Sequence, residues 1–145
     1  EKVFEALGAL ADQRIEVSGT TARVTSSSRG KQYEVSYDPH THAIMANDNL
    51  SYYKGMLGYP SIAYLMVIHV IPYDERVLPM LRDVPWKDLN TRYKGNFRKT
   101  LETVLEKCTP SESEFLQDEV GRIYTELTQR AFPILGPRVT PPEGY

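Results

Sequence analysis

The sequence is poor in cysteine and tryptophan, with Cys108 and Trp86 the single example of each among 145 residues. One thiol excludes an internal disulfide and accords with a reducing compartment, so a cytoplasmic protein is expected. Long apolar runs are missing too. The longest, Ile62 to Ile71, spans ten residues and contains Tyr64 and His69, whereas a membrane span needs about twenty. No basic stretch leads into an apolar one near the start, so no signal peptide is expected. Neither sign of charge dominates: Lys plus Arg is 17, Asp plus Glu is 19, and the net charge is −2. That balance leaves no overall footprint for nucleic acid. Gly-x-Ser-x-Gly, His-Glu-x-x-His, Cys-x-x-Cys and the dinucleotide fingerprint are all absent, and no cofactor is expected.

What is present describes a globular α+β chain. Hydrophobic residues make up 41% and charged residues 25%, and a mass of 16.5 kDa is enough to bury roughly two-thirds of the unfolded surface. Val3, Phe4, Leu7, Leu10 and Ala11 form a helical stripe over residues 2–11. The period then drops to two. Ile15 and Val17, Ala22 and Val24, and Tyr33, Val35 and Tyr37 alternate with polar residues, and a fourth strand follows at 43–46. The breaks at Ser18-Gly19, Ser27–Gly30 and Asp38–His42 are too short for parallel returns, so the strands form an antiparallel meander.

Segregated strands then helices is the α+β pattern. Pro60 opens an almost wholly apolar helix that Pro72 ends, and this is expected to be the most buried helix. Residues 74–82 allow a short helix made irregular by Pro79. Trp86, Leu89, Tyr93, Phe97, Leu101, Val104, Leu105 and Cys108 then predict one long amphipathic helix of about six turns. Thr109-Pro110 stops it, and Ser111 with Glu114 supplies a capping box for a last helix striped by Leu116, Val120, Ile123, Tyr124, Leu127 and Ala131. A short link between two such helices predicts antiparallel packing. A C-terminal layer of three to four helices is thus expected to cover one sheet face. Residues 1–135 read as one domain and 136–145 as a proline-rich tail.

Four groups of residues could carry chemistry. In Lys54-Gly55-Met56-Leu57-Gly58-Tyr59-Pro60-Ser61, Lys54, Gly55, Gly58, Tyr59 and Ser61 precede or open a helix whose N-terminus favours an anion. The same glycines resemble the Gly-x-x-Gly clamp of single-stranded nucleic-acid domains, but Met56 and Leu57 are neither basic nor small. Read simply as punctuation, the glycines make a turn and Met56 and Leu57 enter the core. Asp38, His40 and His42, with His69 as a further ligand, have metal-binding side chains. Pro39 favours a hairpin turn instead, with Asp38 capping it and His42 at positive φ, so no metal is expected.

Arg92, Lys94, Arg98 and Lys99 beside Tyr93 and Phe97 could bind phosphates along a nucleic acid. The favoured reading packs them against the acidic last helix with Glu112, Glu114, Asp118, Glu119 and Glu126. Lastly, ten tyrosines is a high number, and Tyr52, Tyr53 and Tyr59 flank the glycine loop. Cys108 closes a helical stripe and reads as core. Together these readings favour a non-catalytic binding or protein-interaction domain with its site near residues 54–61. The alternatives are an enzyme acting on a phosphorylated or carboxylated metabolite held at the helix start, and nucleic-acid binding through residues 92–99. Three or four apolar helices exceed what one small sheet face can absorb, which predicts a homodimer through the C-terminal helices.

Overall fold

A computed structural model describes residues 1–143 of the chain. Its first helix, α1 (Lys2–Ala11), is buried at every position from Val3 to Ala11. Small residues allow this enclosure: Ala6, Gly8 and Ala9 let neighbouring elements approach the helix backbone closely. The chain leaves α1 through Gln13 at φ 53° and enters the meander at Arg14.

Strands β1 (Ile15–Ser18), β2 (Thr21–Thr25), β3 (Gln32–Tyr37) and β4 (Ile44–Ala46) pair in chain order, each antiparallel to the next. Register places Val24 opposite Tyr33 and Ala22 opposite Val35, so the apolar positions share one face. On the solvent face Arg23 stands opposite Glu34, and Arg23 Nε donates to the carboxylate at 3.0 Å. All three residues of β4 are buried, although it lies last in the sheet order. Residues 133–135 explain this. They run parallel along the outer side of β4, with Ile44 N–H donating to Pro133 O at 2.8 Å and Leu135 N–H to Ile44 O at 3.2 Å.

Helix α2 (Asn49–Lys54), unannounced by any apolar stripe, follows β4, and α3 (Tyr59–Val67) then packs across β1, β3 and β4. In turn α1 lies on α3, so the two central helices come from opposite ends of the strand block. A 3-10 segment at Glu75–Leu81, rendered irregular by Pro79, covers the far side of α1. The expectation that the Pro60 helix is the most enclosed therefore needs amending, because α1 is buried over at least as much of its length.

The long helix expected from Trp86 to Cys108 is two: α4 (Trp86–Arg92) and α5 (Phe97–Leu105). Gly95 at φ 78° donates its N–H to Asn90 O at 2.8 Å and closes α4, and the Asn96 side chain accepts from Lys99 N–H to open α5. Helix α6 (Pro110–Gln129) starts two residues earlier than expected. Its capping box is Thr109 with Glu112 in place of Ser111 with Glu114, since Pro110 opens the helix as well as ending what precedes it. The main contacts of α6 are with α1 and the 3-10 segment. Buried Glu119 fixes it there, accepting the Asp74 N–H at 2.6 Å and pairing with Arg122, whose Nη2 reaches Pro72 O at 2.7 Å.

The anticipated match between the basic stretch and the acidic helix is also corrected. Among the described residues Arg98 pairs with Glu102 within α5, and no ion pair links Arg92, Lys94, Arg98 or Lys99 to α6. No helix among the described residues is long and apolar enough to cross a membrane.

Candidate functional site

A cleft of about 400 Å³ opens where α1, the β2–β3 loop, the start of α2, the start of α3 and α4 converge. Its chemistry comes from residues that the local folding rules force together. Glu5 is the one carboxylate on α1 and stays buried at 6% exposure because the helix around it is enclosed. Its Oε1 accepts Lys2 Nζ at 3.3 Å. Burial pushes the Glu5 carboxyl above the ordinary carboxylate range, against the pull of Lys2.

Arg14, at 4% exposure, sits where α1 gives way to β1. Its Nη1 donates to Thr25 O at 2.6 Å, while Nε lies 3.5 Å from Asp12 Oδ2 without forming a hydrogen bond. Tyr59, the first residue of α3, meets Tyr33 of β3 edge to face at 5.9 Å. Burial raises the Tyr59 phenol far above its usual range, with Tyr33 adding to the effect and Arg14 opposing it. Tyr33 is raised by burial and then by the charges of Asp48 and Glu5. Both rings therefore remain phenols at neutral pH, able to donate.

Asp48 lines the cleft but is committed to structure. It caps α2 through Ser51 N–H at 3.2 Å and Ser51 Oγ at 2.6 Å, and it presses on Gly58 so closely that a Cβ there would meet its Cγ at 2.6 Å. Burial raises its carboxyl, and the Ser51 bonds resist. The Ser26–Ser28 turn borders the same space. Ser26 Oγ accepts Lys31 N–H at 3.1 Å, and Ser27 Oγ accepts Lys87 N–H at 3.1 Å, which ties the β2–β3 loop to the start of α4. Trp86 closes the inner end with its indole N–H unpartnered against Gly8. Among the described residues, four cationic side chains, Lys2, Arg14, Lys31 and Lys87, line the cleft together with the carboxyls of Glu5 and Asp48.

Of the residues singled out in the sequence, Gly58 and Tyr59 line this cleft, and Lys54, Gly55 and Ser61 do not. Lys54 is exposed at the end of α2, and Gly55 is its left-handed C-cap at φ 63°, lying against Ile134 and Arg138. Ser61 is fully buried with no partner for its hydroxyl. Leu57 packs on the core as expected, but Met56 is 58% exposed. Asp38 caps its turn by accepting His40 N–H at 2.9 Å, and His42 takes φ 61°. His42 Nδ1 shares a hydrogen bond with Tyr37 Oη at 2.7 Å, and His69 stands exposed at the end of α3. Among the described residues no three His, Cys, Asp or Glu side chains gather as a cation site. Arg92, Lys94, Arg98 and Lys99 are all exposed, split between α4, the turn and α5. Burial pushes the Cys108 thiol up, away from nucleophilic reactivity, and Glu112 adds to the effect.

Sequence reasoning missed Glu5, Arg14, Asp48 and Trp86. One signal was available: Glu5 is a lone acid within an otherwise apolar helical stretch, Val3 to Ala11.

A family model described as Uncharacterised conserved protein UCP014422 matches residues 1–132. The chain belongs to this family. The matched span contains every residue that lines the cleft, so the site belongs to the portion shared with the UCP014422 family. No curated protein and no solved structure matches the chain.

Proposed function

We propose that the chain is a binding domain for a small charged metabolite held in the cleft between α1, the β2–β3 loop and α4. One observation carries this reading. Glu5 and Arg14 are both more than nine-tenths buried beside the same cavity, and Arg14 keeps its Nε without a hydrogen bond. Lys2 and Asp12 offset part of the cost of burying these two charges, and a bound polar ligand would offset more of it. A volume of about 400 Å³ is at the low end for ligand pockets and suits a small metabolite. The buried Arg14 guanidinium, with its Nε unpartnered, favours a ligand with an anionic group. We place this binding in the cytoplasm, in accord with the single unpaired thiol.

A thermal-shift screen of small phosphorylated and carboxylated metabolites tests the proposal, because a ligand that binds only the folded chain raises its melting temperature. The expected pattern is a shift that Tyr59→Phe weakens and Lys54→Ala leaves alone. Equal loss in both variants would move the site to the glycine loop, and no shift by any metabolite would remove it. A catalytic reading has one observation in its favour, the raised and buried Glu5 carboxyl, which suits a general acid. Recovery of the bound metabolite unchanged after prolonged incubation supports binding alone. Conversion that Glu5→Gln abolishes would make the domain an enzyme.

A further inference from the structure

The basic stretch singled out in the sequence has no place in the cleft, and the fold leaves it outward. Arg92, Lys94, Arg98 and Lys99 are exposed where α4 turns into α5, and none of the four lines the cleft. Residues 89–101 hold these four cations and no acid. Among the described residues Arg98 pairs with Glu102 at 3.5 Å, both largely in water, and Arg92, Lys94 and Lys99 enter no ion pair. The turn that carries them is tied down from within. Asn96 N–H donates to Tyr93 O at 2.9 Å, and Tyr93 Oη shares a hydrogen bond with Thr103 Oγ1 at 2.8 Å. Phe97 packs on Phe4 of α1 with ring centroids 5.6 Å apart. Both aromatic rings of the stretch thus turn to the core, and the cations turn to water.

We propose that the α4–α5 turn is a contact surface for the phosphate backbone of nucleic acid, without preference for base sequence. An exposed cation gains little from one exposed anion, whereas a polymer of phosphates releases a counterion for each charge neutralised. Four clustered cations therefore suit a polymer better than a small phosphate. With Tyr93 and Phe97 turned inward, no ring of the turn is free to stack on bases, so the contact is to the backbone. The same inward rings leave no apolar group to enter an acyl layer, which sets nucleic acid ahead of a lipid surface.

The experiment uses the whole chain and fluorescence anisotropy of a short labelled DNA duplex of mixed sequence, titrated at low and then rising salt. Four phosphate contacts predict a slope of log affinity on log salt of about −3.6, so each doubling of salt weakens binding about tenfold. Lys94→Ala and Lys99→Ala should each make that slope shallower by about one, and do so equally for a duplex of unrelated sequence. Replacing all four cations with alanine should abolish binding at low salt and leave the melting temperature in place, since the four side chains are exposed. Should that variant fail to fold, the slopes of the single variants decide. Lys54→Ala removes a cation elsewhere on the surface and should leave binding as it is. No change in anisotropy at low salt overturns the proposal, as does binding whose salt slope the variants leave unaltered. Vesicles containing phosphatidylglycerol that bind as tightly as the duplex, and lose the chain in the same variants, would assign the turn to a membrane surface and overturn it too.

Discussion

Gly8 and Glu5 lie within one turn of each other on α1, and each is tested by a substitution that local propensity alone would misjudge. Alanine is favoured over glycine in a helix by about 1 kcal/mol, so Gly8→Ala would stabilise an isolated α1. In the folded chain a Cβ at residue 8 would collide with Trp86 Nε1 and lie 3.3 Å from Cε2. Overpacking of that kind costs about 1–3 kcal/mol. Gly8→Ala is therefore expected to lower stability in urea denaturation and to shift the tryptophan emission. A gain in stability would show that the indole moves aside freely. The Glu5 carboxyl, raised by burial, makes the folded chain bind more protons than the unfolded one. Stability on this account is greatest below the ordinary carboxylate range and falls as pH rises from there through the raised folded value. Asp48 is raised by burial as well and contributes in the same direction. Glu5→Gln should flatten part of that fall, so its stability relative to wild type increases from pH 4 to 7. Parallel curves for the two proteins would place the carboxyl in water.

At the level of helices, caps decide where each element ends. Asn96 opens α5 and Thr109 opens α6, each accepting a backbone N–H within the first turn. Asn96→Ala and Thr109→Ala should each cost about 1 kcal/mol. Because the two residues cap different helices and share no partner, the double variant should lose the sum. Chemical denaturation of the three variants checks this, and a double variant no worse than either single one would show that α5 and α6 fray together. The same residues explain what the sequence discloses and what it hides. Strands are legible because alternation such as Ala22-x-Val24 and Tyr33-x-Val35-x-Tyr37 has no helical counterpart. The break between α4 and α5 is obscured because Leu89, Tyr93, Phe97 and Leu101 keep helical spacing across it, both helices facing the same core. Gly95-Asn96, a left-handed C-cap followed by an N-cap, was the overriding signal. Helix α2 has one buried residue, Ser51, so no apolar stripe could announce it.

The cleft, by contrast, exists only at the scale of the whole molecule. Its residues run from Lys2 to Thr91 and come from six segments, and no local spacing joins Glu5 to Trp86. The tyrosine concentration led to Tyr59 for a physical reason, since a ring opening a helix beside a sheet borders whatever space lies between them. Surplus apolar surface on the C-terminal helices was the basis for proposing a homodimer. Within one chain, Leu116 and Ile123 of α6 and Val104 of α5 are buried, and Tyr124, at 62% exposure, is the large apolar side chain left outward on α6. The residues after α6 also contact their own chain. Phe132 packs edge to face on His42 at 6.4 Å, Pro133 and Leu135 hydrogen-bond to Ile44, and Arg138 Nη1 donates to Tyr52 O at 3.1 Å. A chain ended at Ala131 would lose all four contacts and expose the outer side of β4, an edge able to pair with another copy. The expected outcome is a lower melting temperature together with a larger mass in light scattering as concentration rises. The dimer proposed from the helical stripes predicts the reverse change, a mass of about twice 16.5 kDa for the full chain that falls on the same truncation. One measurement on two proteins separates a segment that shields its own sheet from one that joins two molecules.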